Sequence, residues 1–195
     1  MKQGIIIFQK NAVLGKVKTR LAASLGDEMA LSIYKKLLKR THQHLESLPI
    51  DRIVYYSDYL ENEPKDSNQK YFVQPAGNLG QRMNKAFQEQ FNQGYDQLLI
   101  IGTDCPDITS ELVEKAFSAL KKNNFVIGPA EDGGYYLLGM NKFSPELFVD
   151  IPWSSAAVCE MTKKAILKLN KTYETLPVLS DVDNEEDWEK VKDKF

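Results

Sequence analysis

Short apolar runs alternate with longer amphipathic stretches along the whole chain, and that rhythm restricts the fold more than any other feature. Gly4 to Phe8 reads as a buried strand. Asp27 is expected to cap a helix through Ala30, Ile33, Tyr34, Leu37, Leu38, Leu45 and Leu48, most of them spaced as one helix face requires. Arg52 to Tyr56 is a second strand, and the polar stretch 57–69, with Pro64, reads as a loop. Tyr71 to Gln74 is a third strand, followed by a helical face of Leu79, Met83, Ala86, Phe87 and Phe91. Gln97 to Gly102 is the clearest strand, and Thr109 caps a helix carrying Leu112, Val113, Ala116, Phe117 and Leu120. Phe125 to Gly128 and Tyr135 to Met140 read as strands, and Val158, Met161, Ala165, Ile166 and Leu169 as a helix face. A short segment at Tyr173 to Leu176 precedes a last helix, capped by Asn184 and packed through Trp188, Val191 and Phe195. Strand–helix alternation predicts βαβ units with right-handed crossovers, in a three-layer α/β/α fold with a mostly parallel sheet.

Composition narrows the classes. At 195 residues the chain has the length of roughly one domain, and no repeat or linker divides residues 1–195. Its 25 basic and 27 acidic side chains leave a net charge of −2 without like-charge blocks, which argues against a nucleic-acid partner. Two cysteines, Cys105 and Cys159, make no disulfide framework and point to a reducing, cytoplasmic setting. The apolar runs are too short to cross a bilayer, and the N-terminus lacks the pattern of a signal peptide.

In such sheets ligands bind beyond the carboxyl ends of the strands, so chemistry is sought in the loops that follow them. The first of these, Lys10 to Leu21, holds four cations (Lys10, Lys16, Lys18 and Arg20) within eleven residues, beside Gly15. Cations at a strand end suit a polyphosphate; a solvated basic helix start is the alternative. The spacing matches neither a P-loop nor a dinucleotide fingerprint. After the central strand comes Gly102-Thr103-Asp104-Cys105-Pro106-Asp107, in which Asp104 is placed to hold Mg²⁺ or Mn²⁺ against phosphate oxygens. A lone Asp in a turn is also a common turn residue. No histidine lies in these loops, so Cys105 and Cys159 read as structural, and His42 and His44 as surface or packing residues.

Three further loops carry polar groups. In Gly128 to Tyr136, Gly133 and Gly134 allow close approach of a ligand, and Glu131, Asp132 or Tyr135 would meet a sugar or acceptor. Asp-Gly is equally a hairpin signal. The segment Leu179 to Asn184 sets Asp181 and Asp183 at alternate positions, either for one shared face or for acidic capping of the last helix. The segment Pro75 to Met83 is a glycine-punctuated helix start where Gly80, Gln81 and Arg82 would contact a nucleotide, the alternative being an ordinary helix entry.

Taken in order, Gly15 to Leu21, Gly77 to Met83, Gly102 to Pro106, Gly128 to Tyr136 and Asp181 to Trp188 resemble a bacterial family of GT-A-like nucleotide-diphospho-sugar transferases. Some members are named for arsenosugar biosynthesis, and the family is similar to 2-phospho-lactate guanylyltransferase. The resemblance covers essentially the whole chain. It implies a nucleotide over the first strands, with phosphates on Lys16, Lys18 and Arg20. It also implies a metal on Asp104 and Asp183, and a sugar or acceptor near Asp132, Gly133 and Gly134. Asp104, Asp132 and Lys18 are then the expected catalytic groups. The Asp-x-Asp of many GT-A glycosyltransferases is absent, because Thr103-Asp104-Cys105 supplies one aspartate. The expected activity is metal-dependent glycosyl transfer from a nucleotide sugar to a small acceptor. The alternative is nucleotidyl transfer from a nucleoside triphosphate to a phosphorylated small molecule.

Overall fold

A computed structural model of the chain describes residues 1–61 and 68–195. The elements run β1 (Gln3–Gln9), α1 (Thr19–Leu25), α2 (Asp27–Glu46), β2 (Asp51–Tyr56), β3 (Gln69–Val73), α3 (Leu79–Asn92) and β4 (Gln97–Ile101). There follow α4 (Ser110–Ala119), β5 (Phe125–Pro129), β6 (Tyr135–Met140), α5 (Val158–Lys168), β7 (Tyr173–Thr175) and α6 (Glu185–Val191). Part of the expected polar loop, residues 62–67 with Pro64, lies outside the described residues.

The strands form one seven-stranded sheet in the order β3-β2-β1-β4-β6-β5-β7. β1 pairs in parallel with β2 on one side and β4 on the other. β6 alone runs against its neighbours β4 and β5. Its reversal follows from the tight turn at 130–134, closed by Ala130 N–H donating to Gly134 O at 3.0 Å and Gly133 N–H to Ala130 O at 3.1 Å. The Asp-Gly pair thus makes the hairpin that its type favours.

Both faces of the sheet are covered, which is why Ile5 to Phe8 of β1 and Leu98 to Ile101 of β4 are apolar at successive rather than alternate positions. Ile5, Ile7, Leu99 and Ile101 enter a core with Leu45 of α2 and Val113, Ala116 and Phe117 of α4. Ile6, Leu98 and Ile100 face the opposite way, against Met83, Ala86 and Phe87 of α3 and Cys159 and Ile166 of α5. A smaller third cluster joins Leu21 of α1, Ala30, Ile33 and Leu37 of α2, and Val182 and Trp188 from the C-terminal segment.

Local signals set most boundaries. Thr109 caps α4 by accepting from Leu112 N–H at 3.3 Å. Asn184 and Asp187 form a capping box at α6. Two expectations are corrected. Gly26, not Asp27, caps α2: its φ of 82° turns the chain sharply between α1 and α2 and leaves Asp27 in the first turn. α1 is not expected as a separate helix: Thr19 to Leu21 fall in the basic loop or a helix start, and seven residues with one buried side chain carry too little periodicity to read. Among the described residues no helix is long and apolar enough to cross a membrane.

Gly139 of β6 lies beneath neighbouring strands, where an added Cβ would stand 2.6 Å from Val126 Cγ1 and closer still to Leu99 Cδ2. We therefore expect Gly139→Ala to lower unfolding free energy by about 1–3 kcal/mol, measured by urea denaturation.

Candidate active site

The strand order sets where a cleft can open. From β1 the chain moves outward to β2 and β3, then returns to the other side of β1 as β4. The loops leaving β1 and β4 therefore diverge, and a doubly wound sheet opens its crevice at such a point. A cleft of ≈ 540 Å³ lies here, lined by Lys10, Lys18, Arg20, Arg82, Asp104 and Asp183 among others.

Lys18 is at its centre. Its Nζ stands 2.8 Å from Asp104 Oδ1 and 3.4 Å from Asp183 Oδ1, and its side chain is only 4% exposed. Arg20 Nη1 reaches Asp183 Oδ2 at 3.3 Å, from a side chain that is 80% exposed. The Lys18 backbone adopts a left-handed conformation, φ 48° and ψ 47°, just before α1. That conformation costs a non-glycine residue about 1–2 kcal/mol. It turns the side chain inward while the buried neighbours Val17 and Leu21 anchor the loop.

Asp183 is brought over the cleft by the third core cluster, in which Val182 is buried. The Val182 N–H donates to Asp104 O at 3.0 Å, tying the two acidic loops together. Asp181 belongs to the same group. Burial, then the Asp104 charge, push its carboxyl up to about 7; Lys18 opposes this, while Asp132 and Asp183 add to it. The alternation of Asp181 with Asp183 is visible in the sequence, but its closeness to Asp104 and Lys18 comes only from the fold.

Tyr34 of α2 was expected only as a core residue. Its hydroxyl accepts from Lys10 N–H at 2.8 Å and lies 3.1 Å from Lys10 O as a donor. It also bonds the Thr103 side chain, and burial raises its pKa to about 12. It therefore joins the β1 loop to the residue before Asp104. Asn11 performs a similar service toward the loop after β2. Its Oδ1 accepts from Asp58 N–H at 3.1 Å, and its Nδ2 donates to Tyr59 O at 3.0 Å.

The remaining expected site residues divide. Lys10 and Arg82 line the cleft. Arg82 is held by Gly77 O at 2.8 Å and by Gln74 Oε1 at 3.2 Å. Gln81 instead serves a capping box, its Oε1 accepting from Asn78 N–H at 2.9 Å. Gly80 is buried against the Trp153 indole, a contact that leaves no room for a Cβ. Gly15 makes a turn at φ 73°, and the exposed Lys16 does not line the cleft.

Glu131 and Asp132 are exposed on the β5–β6 turn, with Asp132 Oδ1 accepting from Gly134 N–H at 2.8 Å. Gly133, at φ 88°, packs on the Ala156 backbone. Tyr135 packs into the core, its hydroxyl 4.0 Å from Met83 Sδ. One strap before α5 thus supports both glycine loops, through Trp153 and Ala156. It holds two residues at positive φ, Asp150 and Ser154. The second aspartate after β4, Asp107, is engaged outside the cleft by Lys194 Nζ at 2.6 Å.

Among the described residues no group of three His, Cys, Asp or Glu side chains is arranged to hold a metal ion. Asp104 and Asp183 do converge, on the Lys18 ammonium. Such a donor set suits Mg²⁺ or Mn²⁺ completed by phosphate oxygens and water, which is how Mg²⁺ is commonly bound. His42 pairs with Gln9 Oε1 at 2.8 Å on α2. Cys105 is buried and its thiol is pushed up to about 12 by desolvation.

A family model described as "Uncharacterized protein conserved in bacteria (DUF2064)" matches residues 40–155. A crystal structure from Desulfovibrio desulfuricans G20, of a protein provisionally assigned as a nucleotide-diphospho-sugar transferase, superposes with a TM-score of 0.86. It is 34% identical, over 94% of this chain and 84% of that one. The 4-diphosphocytidyl-2C-methyl-D-erythritol synthase of Anaerococcus prevotii DSM 20548 shares the fold at a TM-score of 0.64 and 12% identity, over 99% and 95% of the two chains. CMP:2-keto-3-deoxy-manno-octonic acid synthetase, solved with CTP, does so at 0.62 and 10%, over 100% and 98%. No curated protein sequence matches.

Two outcomes follow from these contacts. Tyr34→Phe leaves the Lys10 N–H without its acceptor, and we expect a loss of about 1–3 kcal/mol in chemical denaturation. Both thiols are buried, so a thiol reagent at pH 8 should label the folded protein slowly and the denatured protein at once.

Proposed function

We propose that this chain, which belongs to the bacterial family described as DUF2064, is a metal-dependent transferase that takes a nucleotide-diphospho-sugar and passes the sugar to a small acceptor. One observation carries this reading: Lys18, Asp104 and Asp183 converge where the β1 and β4 loops diverge, in a cleft whose other cations are Lys10, Arg20 and Arg82. The assignment of the Desulfovibrio relative supports it.

Cations arrayed on a cleft wall suit a diphosphate, whose charge grows on the leaving oxygen as the sugar departs. Lys18 is almost fully desolvated, so its ammonium acts on that charge with little screening. Arg20 would hold the outer phosphate oxygens. Mg²⁺ or Mn²⁺ on Asp104 and Asp183 would neutralise further phosphate charge as a Lewis acid. The acceptor hydroxyl attacks the anomeric carbon, the carbon–oxygen bond to the β-phosphate breaks, and the nucleoside diphosphate leaves. The hydroxyl proton would pass to a carboxylate, for which the candidate is Asp132, exposed on the β5–β6 turn and acting electrostatically on Asp181, with Glu131 beside it.

A second reading has a specific observation in its favour. Thr103 and Cys105 are buried on either side of Asp104, so the β4 loop offers the cleft one carboxylate where an Asp-x-Asp would offer two. That arrangement also suits nucleotidyl transfer. An acceptor phosphate oxygen then attacks the α-phosphorus of a nucleoside triphosphate, and pyrophosphate leaves. An ionised phosphate needs no base, so Asp132 has no part in that reaction.

Asp104→Ala is expected to reduce turnover by at least about a hundredfold with its melting temperature little changed, as loss of a charge-stabilising group does. Full turnover in this variant at saturating metal overturns the site. The released product separates the two chemistries: nucleoside diphosphate marks glycosyl transfer, and pyrophosphate marks nucleotidyl transfer. Asp132→Asn should slow the first by about 10²–10⁴-fold and spare the second.

A further inference from the structure

We propose that Lys18 is a cation gate: its ammonium occupies the position between Asp104 and Asp183 that a divalent ion would take, so the site accepts the metal as a polyphosphate chelate rather than as a free ion. This rests on the metal-dependent reading above. The geometry is specific to Lys18. Its Nζ is 2.8 Å from Asp104 Oδ1 and 3.4 Å from Asp183 Oδ1, so one ammonium spans both carboxylates. Arg20 reaches only Asp183, and from solvent.

Lys18 has few alternative positions. Its side chain is 4% exposed, and its left-handed backbone is fixed between Val17 and Leu21, both buried. A bare divalent ion entering here must displace an ammonium whose side chain is 4% exposed and whose close charged partners are these two carboxylates. Leaving that ammonium unpaired and buried carries a large penalty. A polyphosphate removes the penalty. Its oxygens offer the ammonium new partners of the same charge type, which frees the aspartate oxygens for the ion that arrives with it. Metal and polyphosphate then favour each other by the same factor, because coupling between bound ligands is reciprocal.

The test uses the whole chain, Mn²⁺ and inorganic pyrophosphate, and so needs neither the nucleobase nor the acceptor. Calorimetric titration with Mn²⁺ alone should show weak binding to wild type and binding tighter by about tenfold or more in Lys18→Met, a coupling of ordinary size. Arg20→Met, which removes the same charge from an exposed position, should tighten Mn²⁺ by less than about threefold. Thermal shifts of wild type should be more than additive when Mn²⁺ and pyrophosphate are present together. Wild type binding free Mn²⁺ as tightly as Lys18→Met overturns the gate and leaves metal dependence standing. Equal tightening in the two variants also overturns it, because charge alone then accounts for the effect. No Mn²⁺ binding to either protein, with or without pyrophosphate, overturns metal dependence and the gate together. Should Lys18→Met fail to fold, the wild-type shifts decide: additive shifts overturn the gate, and synergistic ones support it.

Discussion

A buried ammonium is tolerated only where partners surround it, and Lys18 meets that condition through residues far away in sequence. Asp104 comes from the end of β4 and Asp183 from the segment before α6. Each of these carboxylates is close to half exposed, and either one alone still leaves the ammonium a partner. The surrounding architecture can be read as what holds these three groups together. β1 and β4 are hydrogen-bonded neighbours, so the loops that diverge from them start from adjacent strand ends. The cluster of Leu21, Ile33, Val182 and Trp188 binds α1, α2 and the C-terminal segment into one small core, which carries Asp183 over the β4 loop. The left-handed backbone at Lys18 is a local cost met by that packing.

The charge balance around Lys18 has a direction. Asp104, Asp132, Asp181 and Asp183 all act on one another or on the same lysine. Four carboxylates against one buried ammonium and one exposed guanidinium leave an excess of negative charge. The Asp181 carboxyl is raised first by burial and then by the neighbouring Asp104 charge. Such a site would attract cations, while Lys10, Arg20 and Arg82 on the same cleft would attract the phosphates of the proposed donor. A divalent ion bound to a polyphosphate satisfies both demands, since it brings the missing positive charge and the anion that the basic wall prefers.

Packing accounts for several glycines that the sequence presents as ligand-binding. Gly80 and Gly133 lie against Trp153 and Ala156, so their lack of a side chain serves the strap before α5. Motifs that resemble phosphate or sugar loops can therefore combine two roles, with the glycine making room for a wall and its charged neighbour facing the ligand. Arg82 faces the cleft, and Gln81 beside it closes a capping box.

Much of the fold was legible in one dimension, because strand and helix periodicities are local. The strand positions, the Thr109 and Asn184 caps and the mostly parallel three-layer architecture all followed from spacing and capping chemistry. The basic loop and Asp104 were legible too, as they sit at strand ends where such sheets bind ligands. The short helix α1 and the glycine cap of α2 were not, since seven residues give no periodicity. The direction of β6 stood open in the sequence, because Asp132-Gly133 is a hairpin signal that suits a ligand loop equally well. Only the tertiary structure decided that Lys18, rather than the equally basic Lys16, is the buried cation. Only it joined Asp181 and Asp183 to Asp104, and made Tyr34 a link between two loops. Those outcomes depend on contacts between residues up to 165 positions apart, and a pair interaction of that range leaves no trace in the spacing of a single sequence.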